Sequence, residues 1–117
     1  MSDITLTKEE ENYSLIIDGI SIGSAWVGLT DLVPEKEFMN KTSKVIMEVF
    51  IQDDYRGKGF GQTLISKIIE SEKSKGTEYL RLGVLKDNEP AIKIYEKAGF
   101  IKDGLIYDHM HYMWIKL

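Results

Sequence analysis

Val45 to Ile51 is a run of apolar residues broken only by Glu48, and it leads into Tyr55-Arg56-Gly57-Lys58-Gly59-Phe60-Gly61. The next apolar residues, Phe60, Leu64, Ile65, Ile68 and Ile69, recur at the spacing of one helix face, with Gln62, Lys67, Glu70 and Lys73 opposite. Gly76 suits the left-handed position that ends a helix, and Tyr79 to Leu85 alternates as a strand should. A strand, a helix and a second strand in this order demand a parallel pair with a right-handed crossover. The 117 residues are enough for one compact domain with a real core and too few for two.

The flanks demand antiparallel pairing. Tyr13 to Ile17 and Ile20 to Gly28 enclose Asp18-Gly19, a dipeptide suited to the two positive φ angles of a type I′ turn. Ile4 to Leu6 adds a short strand, Lys8 to Glu11 reads as a solvated turn, and Thr30 to Lys44 reads as a loop. Downstream, Asn88 can cap a second helix, with Pro90 in its first turn and Ala91, Ile94, Tyr95 and Ala98 on its buried stripe; Gly99 ends it. Phe100 to Tyr107 and His111 to Leu117 are the last strands, joined around Asp108. The expected fold class is α/β (α+β), a mixed, mostly antiparallel sheet with a central parallel pair and two main helices, in one domain spanning residues 1–117.

Composition narrows the function classes. A net charge of -4 disfavours a general nucleic-acid binder, which needs a basic face, and fits small cationic amines no worse than neutral ones. No cysteine is present, which removes disulfides, thiolate metal sites and a cysteine nucleophile together. The start has no basic and apolar leader pattern, and no apolar run reaches a membrane span, so a cytoplasmic location is expected by default.

At the glycine-rich loop several backbone N–H groups of a helix N-terminus can point at one anion, and the helix dipole favours negative charge there. Arg56 and Lys58 add positive charge at its edge. The alternative is a tight strand-to-helix turn with no ligand. Two phosphate motifs fail directly: the string Gly, four residues, Gly-Lys-Ser/Thr does not occur, and the third glycine of Gly-x-Gly-x-x-Gly would fall on Gln62 or Leu64. Arg56, Gly59 and Gly61 do meet Arg/Gln-x-x-Gly-x-Gly/Ala, and Asn88, Ala91, Tyr95, Gly99 and Phe100 meet Asn-x-x-Ala-x-x-x-Tyr-x-x-x-Gly-Phe. In these two segments the chain resembles the GNAT superfamily of N-acetyltransferases, over roughly Ile20 to Leu117.

The resemblance implies acetyl-CoA as co-substrate and transfer of its acetyl group to an amine by direct attack. It assigns Phe50, Ile51, Gln52, Arg56, Gly57, Lys58, Gly59, Phe60, Gly61 and Asn88 to the coenzyme, with the central strand and the strand after the first helix splayed apart around the pantetheine arm. Asn88 can equally be a plain helix cap. Tyr95 matches the family's proton donor to the thiolate, though it also falls on the buried stripe of its helix. A lysine-like amine is neutral only about once in a thousand molecules at pH 7, so a general base is useful. Glu48 is the candidate, since a carboxylate in an apolar strand should face a wet cleft or a partner; a structural ion pair or an edge position are its alternatives, and the family's acidic position varies, one common place falling on Val45. His109 and His111 share a same-face spacing near the start of the last strand but lack a companion ligand motif, and no metal is expected. Trp26 and Trp114 read as core or interface aromatics, with Trp26 a candidate lining for an acceptor pocket.

Typical members place two helices after their first strand as one wall of the acceptor site, and that wall is expected to be missing here. The acceptor groove should then be open, completed by a second subunit in a homodimer or serving a large substrate such as a protein amino group in place of a small-molecule amine. The loop from Thr30 to Lys44 is the remaining in-chain cover. No nucleic-acid or membrane partner is expected. A non-catalytic acyl-CoA-binding or sensing module is the alternative function.

Overall fold

The computed structural model describes residues 3–30, 33 and 42–117, except the side chains of residues 105 and 107. The loop expected over Thr30 to Lys44 lies mostly outside the described residues. Strands β1 (Ile4–Glu9), β2 (Asn12–Ile17), β3 (Ile20–Gly28), β4 (Ser43–Ile51), β5 (Tyr79–Leu85), β6 (Ile101–Tyr107) and β7 (Met110–Lys116) alternate with helices α1 (Phe60–Ser74) and α2 (Glu89–Ala98) as the sequence pattern requires. They form one sheet in the order β1-β2-β3-β4-β5-β7-β6. Among the described residues only β4 and β5 run parallel, and every other neighbouring pair is antiparallel. The mixed fold class expected from the sequence is therefore the one observed.

The turns follow from local chemistry. Asp18 and Gly19 have φ of 49° and 83°, and Asp108 and His109 have φ of 56° and 62°, so both hairpins turn on paired left-handed residues. Lys8 and Glu9 are not turn residues: β1 runs to Glu9, and a two-residue turn at Glu10 and Glu11 leads straight into β2, with Glu9 opposite Asn12. No helix intervenes between these first two strands. His109 sits in the turn and only His111 lies on β7, so the expected same-face pair does not form on one strand.

Both helices share one core. Leu64, Ile65 and Ile68 of α1 meet alternate residues of β5, Leu80, Leu82 and Val84, together with Tyr13 and Leu15 of β2. On α2 the buried residues are Ile92 and Tyr95, while Ala91, Ile94 and Ala98 are half-buried at its margin. The expected stripe is thus rotated toward Ile92. Gly61 brings the helices together: a Cβ there would lie 3.1 Å from Ile94 Cδ1.

Two irregularities in β4 shape the centre of the sheet. Pairing with β5 covers Ser43↔Tyr79, Lys44↔Leu80 and Val45↔Arg81 and then stops, although β4 stays paired with β3 out to Ile51 and β5 with β7 out to Leu85. The sheet opens as a wedge between the remaining halves of β4 and β5. In addition, Trp26 faces Met47 and Ser24 faces Phe50, so two steps on β3 match three on β4. This is a β-bulge, and Glu48 adopts φ of 55° within it. The extra residue rephases the strand: Ile46 enters the core, and beyond the bulge Val49 and Ile51 pack against it.

Candidate functional site

The wedge ends at the glycine-rich loop. A single 3-10 turn, Asp53–Tyr55, leads from β4 to Arg56, whose Nε donates to the Ile51 carbonyl at 2.9 Å. The guanidinium pairs with Asp53 at 3.1 Å and lies 5.6 Å from the centre of the Phe50 ring, so its charge is held back over the end of β4. Lys58 Nζ stands 6.0 Å from the Tyr55 ring, which meets Phe60 edge-on at 5.9 Å. Gly57 and Gly59 have φ of 75° and 86°, and the space where a Cβ would sit is empty at both. That bare backbone is what close approach of a ligand needs.

Gly59 is the N-cap of α1 and offers no side chain to its first turn. The first intrahelical bond to Gly59 comes from Thr63 N at 3.1 Å, so the N–H groups of Phe60, Gly61 and Gln62 project from the helix end, where the dipole adds positive potential. An anion with several oxygens fits this arrangement. Gly61 lies inside α1, where its missing Cβ makes room for Ile94 of α2 rather than for a ligand.

Along the wedge, Phe50 is half exposed and Ile51 half-buried. Gln52 is anchored on both sides of its Cα: its N–H donates to Ile22 O at 2.8 Å and its Nε2 to Ser21 O at 2.9 Å. Glu48 is exposed on the bulge. Tyr95 projects from α2 with 8% of its surface exposed, edge-on to Phe100 at 5.9 Å. Burial pushes its phenol above the ordinary value, so the group stays protonated at neutral pH. Among the described residues no group hydrogen-bonds its hydroxyl, and the oxygen is not sealed from solvent. Asn88 accepts from Ala91 N at 3.3 Å as the cap of α2, which leaves its amide nitrogen available. Trp26 lies against Gly28, and Trp114 pairs with Tyr79 at 6.3 Å. Among the described residues no group of three or more His, Cys, Asp or Glu side chains is arranged to hold a metal ion.

The sequence reading missed a fully buried carboxylate. Glu72 of α1 has no exposed surface and accepts from Lys44 Nζ at 2.8 Å, Thr77 Oγ1 at 2.8 Å, Lys8 Nζ at 3.3 Å and the Tyr13 hydroxyl. Lys75 Nζ lies 3.6 Å away and donates to Tyr13 Oη at 3.0 Å. Burial alone would raise the carboxyl, but the hydrogen bonds from Lys44, Tyr13 and Thr77 outweigh it and hold it at about 2. The signal was present, since Glu72 falls four residues after Ile68 and seven after Ile65, on the apolar face. This cluster ties β1, β2, β4 and the C-terminal end of α1 together, at the opposite end of that helix from the glycine-rich loop.

A mixed sheet wedged open at its one parallel pair, above a glycine-turned helix N-terminus, defines the N-acetyltransferase superfamily architecture. The chain belongs to the acetyltransferase (GNAT) family, whose sequence model matches residues 3–100. An uncharacterized N-acetyltransferase of Methanocaldococcus jannaschii is 42% identical over 55 residues, 47% of this chain and 24% of the relative. A spermidine N(1)-acetyltransferase of Vibrio cholerae is 28% identical over 79 residues, 67% of this chain and 44% of that protein. The chain thus spans less than half the length of these curated relatives. Among solved structures, a Bacillus subtilis acetyltransferase in complex with CoA superposes with a TM-score of 0.77 at 15% identity, covering 100% of this chain and 99% of that one.

Proposed function

We propose that this protein is an N-acetyltransferase that passes an acetyl group from acetyl-CoA to an amine by direct attack. The observation that carries the reading is the wedge between β4 and β5, which opens next to the unpaired N–H groups at the start of α1. The coenzyme supplies the acyl group as a thioester. Gly57, Gly59 and the N–H groups of Phe60 to Gln62 cradle its pyrophosphate, with Arg56 and Lys58 at the rim and the Asn88 amide nitrogen beyond them. Phe50, Ile51 and Gln52 border the slot for its pantetheine arm.

Glu48 receives the proton of the incoming ammonium. The amine nitrogen then bonds to the acyl carbon, the carbon–sulfur bond breaks, Tyr95 donates its phenol proton to the departing sulfur, and the proton that the nitrogen sheds on becoming an amide restores the phenol. Burial suits Tyr95 to this role because it keeps the phenol protonated until a strong base forms beside it. The acceptor is a small-molecule amine or a protein amino group.

The direct turn from β1 to β2 favours a second reading, a module that binds acyl-CoA without turnover, because no helix between those strands walls an acceptor site. Release of free CoA thiol from acetyl-CoA across a panel of amines separates the two. The enzyme reading expects amine-dependent release, slowed about a hundredfold by Tyr95→Phe with coenzyme affinity intact. Binding without release for any amine supports the module, and an unchanged rate in Tyr95→Phe removes the acid role.

A further inference from the structure

The described strand residues that border the open half of the wedge are almost all apolar. Residues 46–51 of β4 and 82–85 of β5 border it, and of these only Glu48 carries a charge. Gly83 is the second residue past the last β4–β5 pair, on the face opposite Leu82 and Val84, which enter the core. It stands opposite Tyr112 of β7, and Leu85 stands opposite Met110. A Cβ added to Gly83 would meet Met110 Cε at 3.0 Å and Tyr112 Cε1 at 3.1 Å. Both side chains therefore reach from β7 over the bare backbone of β5. Leu85 on the same strand and Phe50 across the opening are 57% and 49% exposed, which makes the rim apolar on both sides.

We propose that Tyr112 and Met110, laid across Gly83, form the wall on which the acceptor rests, and that the acceptor is a monoamine with an aromatic or otherwise apolar body. The proposal rests on the acetyltransferase reading and names its substrate class. Among the described β4 and β5 residues at the opening, one carboxylate matches one ammonium. A polyamine would bring further cations to a rim whose β4 and β5 residues offer them no second partner, and would lose their hydration. A flat apolar body instead gains contact with the Tyr112 ring and the Met110 thioether, both of which pack well against aromatic surfaces.

A tyrosine lying over a glycine in the neighbouring strand also stabilises a sheet, so the test must read ligand selectivity. The full chain, with and without saturating CoA, is titrated calorimetrically with 2-phenylethylamine and with spermidine. CoA in place of acetyl-CoA makes the result independent of turnover, so a catalytically silent protein still gives an answer. The CoA-loaded protein should bind 2-phenylethylamine about tenfold more tightly than spermidine, and Tyr112→Ala should erase about that factor while Tyr112→Phe keeps it. Spermidine affinity should be the same in all three proteins. Equal or tighter binding of spermidine to the unaltered protein overturns the proposal, and needs no variant to fold. So does a loss in Tyr112→Ala that affects both amines alike, or no binding of either amine with or without CoA.

Discussion

Glu72→Gln removes one charge and almost no volume from a buried side chain that accepts from Lys8, Tyr13, Lys44 and Thr77. Its carboxyl is held at about 2 against an ordinary 4.5. At about 1.36 kcal/mol per tenfold change in proton affinity, that difference corresponds to about 3 kcal/mol of stability. The ammonium partners Lys8, Lys44 and Lys75 are 22%, 30% and 41% exposed, so solvent screening trims the figure to about 2–3 kcal/mol. The amide keeps one oxygen, an acceptor for Thr77 or for Tyr13 but not for both, since they donate to different oxygens of the carboxylate, and it leaves three lysines around a neutral group. Because the folded-state value lies below the unfolded one, the contribution is complete above about pH 4.5 and is lost as pH falls toward 2. Urea denaturation of both proteins at several pH values reads this directly. At neutral pH the midpoint should fall by about 1–2 M with an unchanged slope, and the gap should close as pH approaches 2.5. A loss below about 0.5 kcal/mol at pH 7, or one of equal size at pH 7 and pH 2.5, would mean that the Glu72 charge does not stabilise the fold.

Three further substitutions probe the coenzyme and acceptor sides. Glu48→Gln should leave coenzyme affinity intact and lower kcat/KM about a hundredfold at neutral pH; an unchanged pH–rate profile removes its role as base. Asn88→Ala should cost about 1 kcal/mol of stability through the lost cap on α2, read by thermal denaturation. Asn88→Asp should keep that cap yet lose about fivefold in CoA affinity, because it has no amide N–H to offer; equal affinity would make Asn88 a cap alone.

The elements that could be read from the sequence are those with local signals. Asp18-Gly19 specified its hairpin, the apolar spacing of Phe60 to Ile69 specified α1, and Asn88 with Pro90 specified the start of α2. The two features that shape the site are not local. The bulge at Glu48 arises from the register between β3 and β4, and no propensity predicts a left-handed glutamate, a conformation that costs about 1–2 kcal/mol outside glycine. The wedge arises because β5 continues along β7 while β4 continues along β3, a choice made by distant pairings. Lys8 shows the same limit in reverse: an acidic, polar stretch read as a solvated turn, yet its side chain crosses to a buried carboxylate 64 residues away. Arg56, Gly59, Gly61 and Asn88 stood out as coenzyme residues only through the resemblance to the family's two motifs, whereas the hold of Asp53 on Arg56 and the double anchoring of Gln52 required the folded chain.

Coenzyme binding at the wedge tests the account most directly, by calorimetric titration of CoA into the unaltered protein and into Gly59→Asp. Gly59 stands at φ of 86° with open space before it, so the new carboxylate would occupy the pyrophosphate position and repel it. The unaltered protein should bind one CoA per chain and the variant none measurably, with far-ultraviolet circular dichroism showing both folded. No heat with the unaltered protein, or equal affinity in a folded Gly59→Asp, would contradict it.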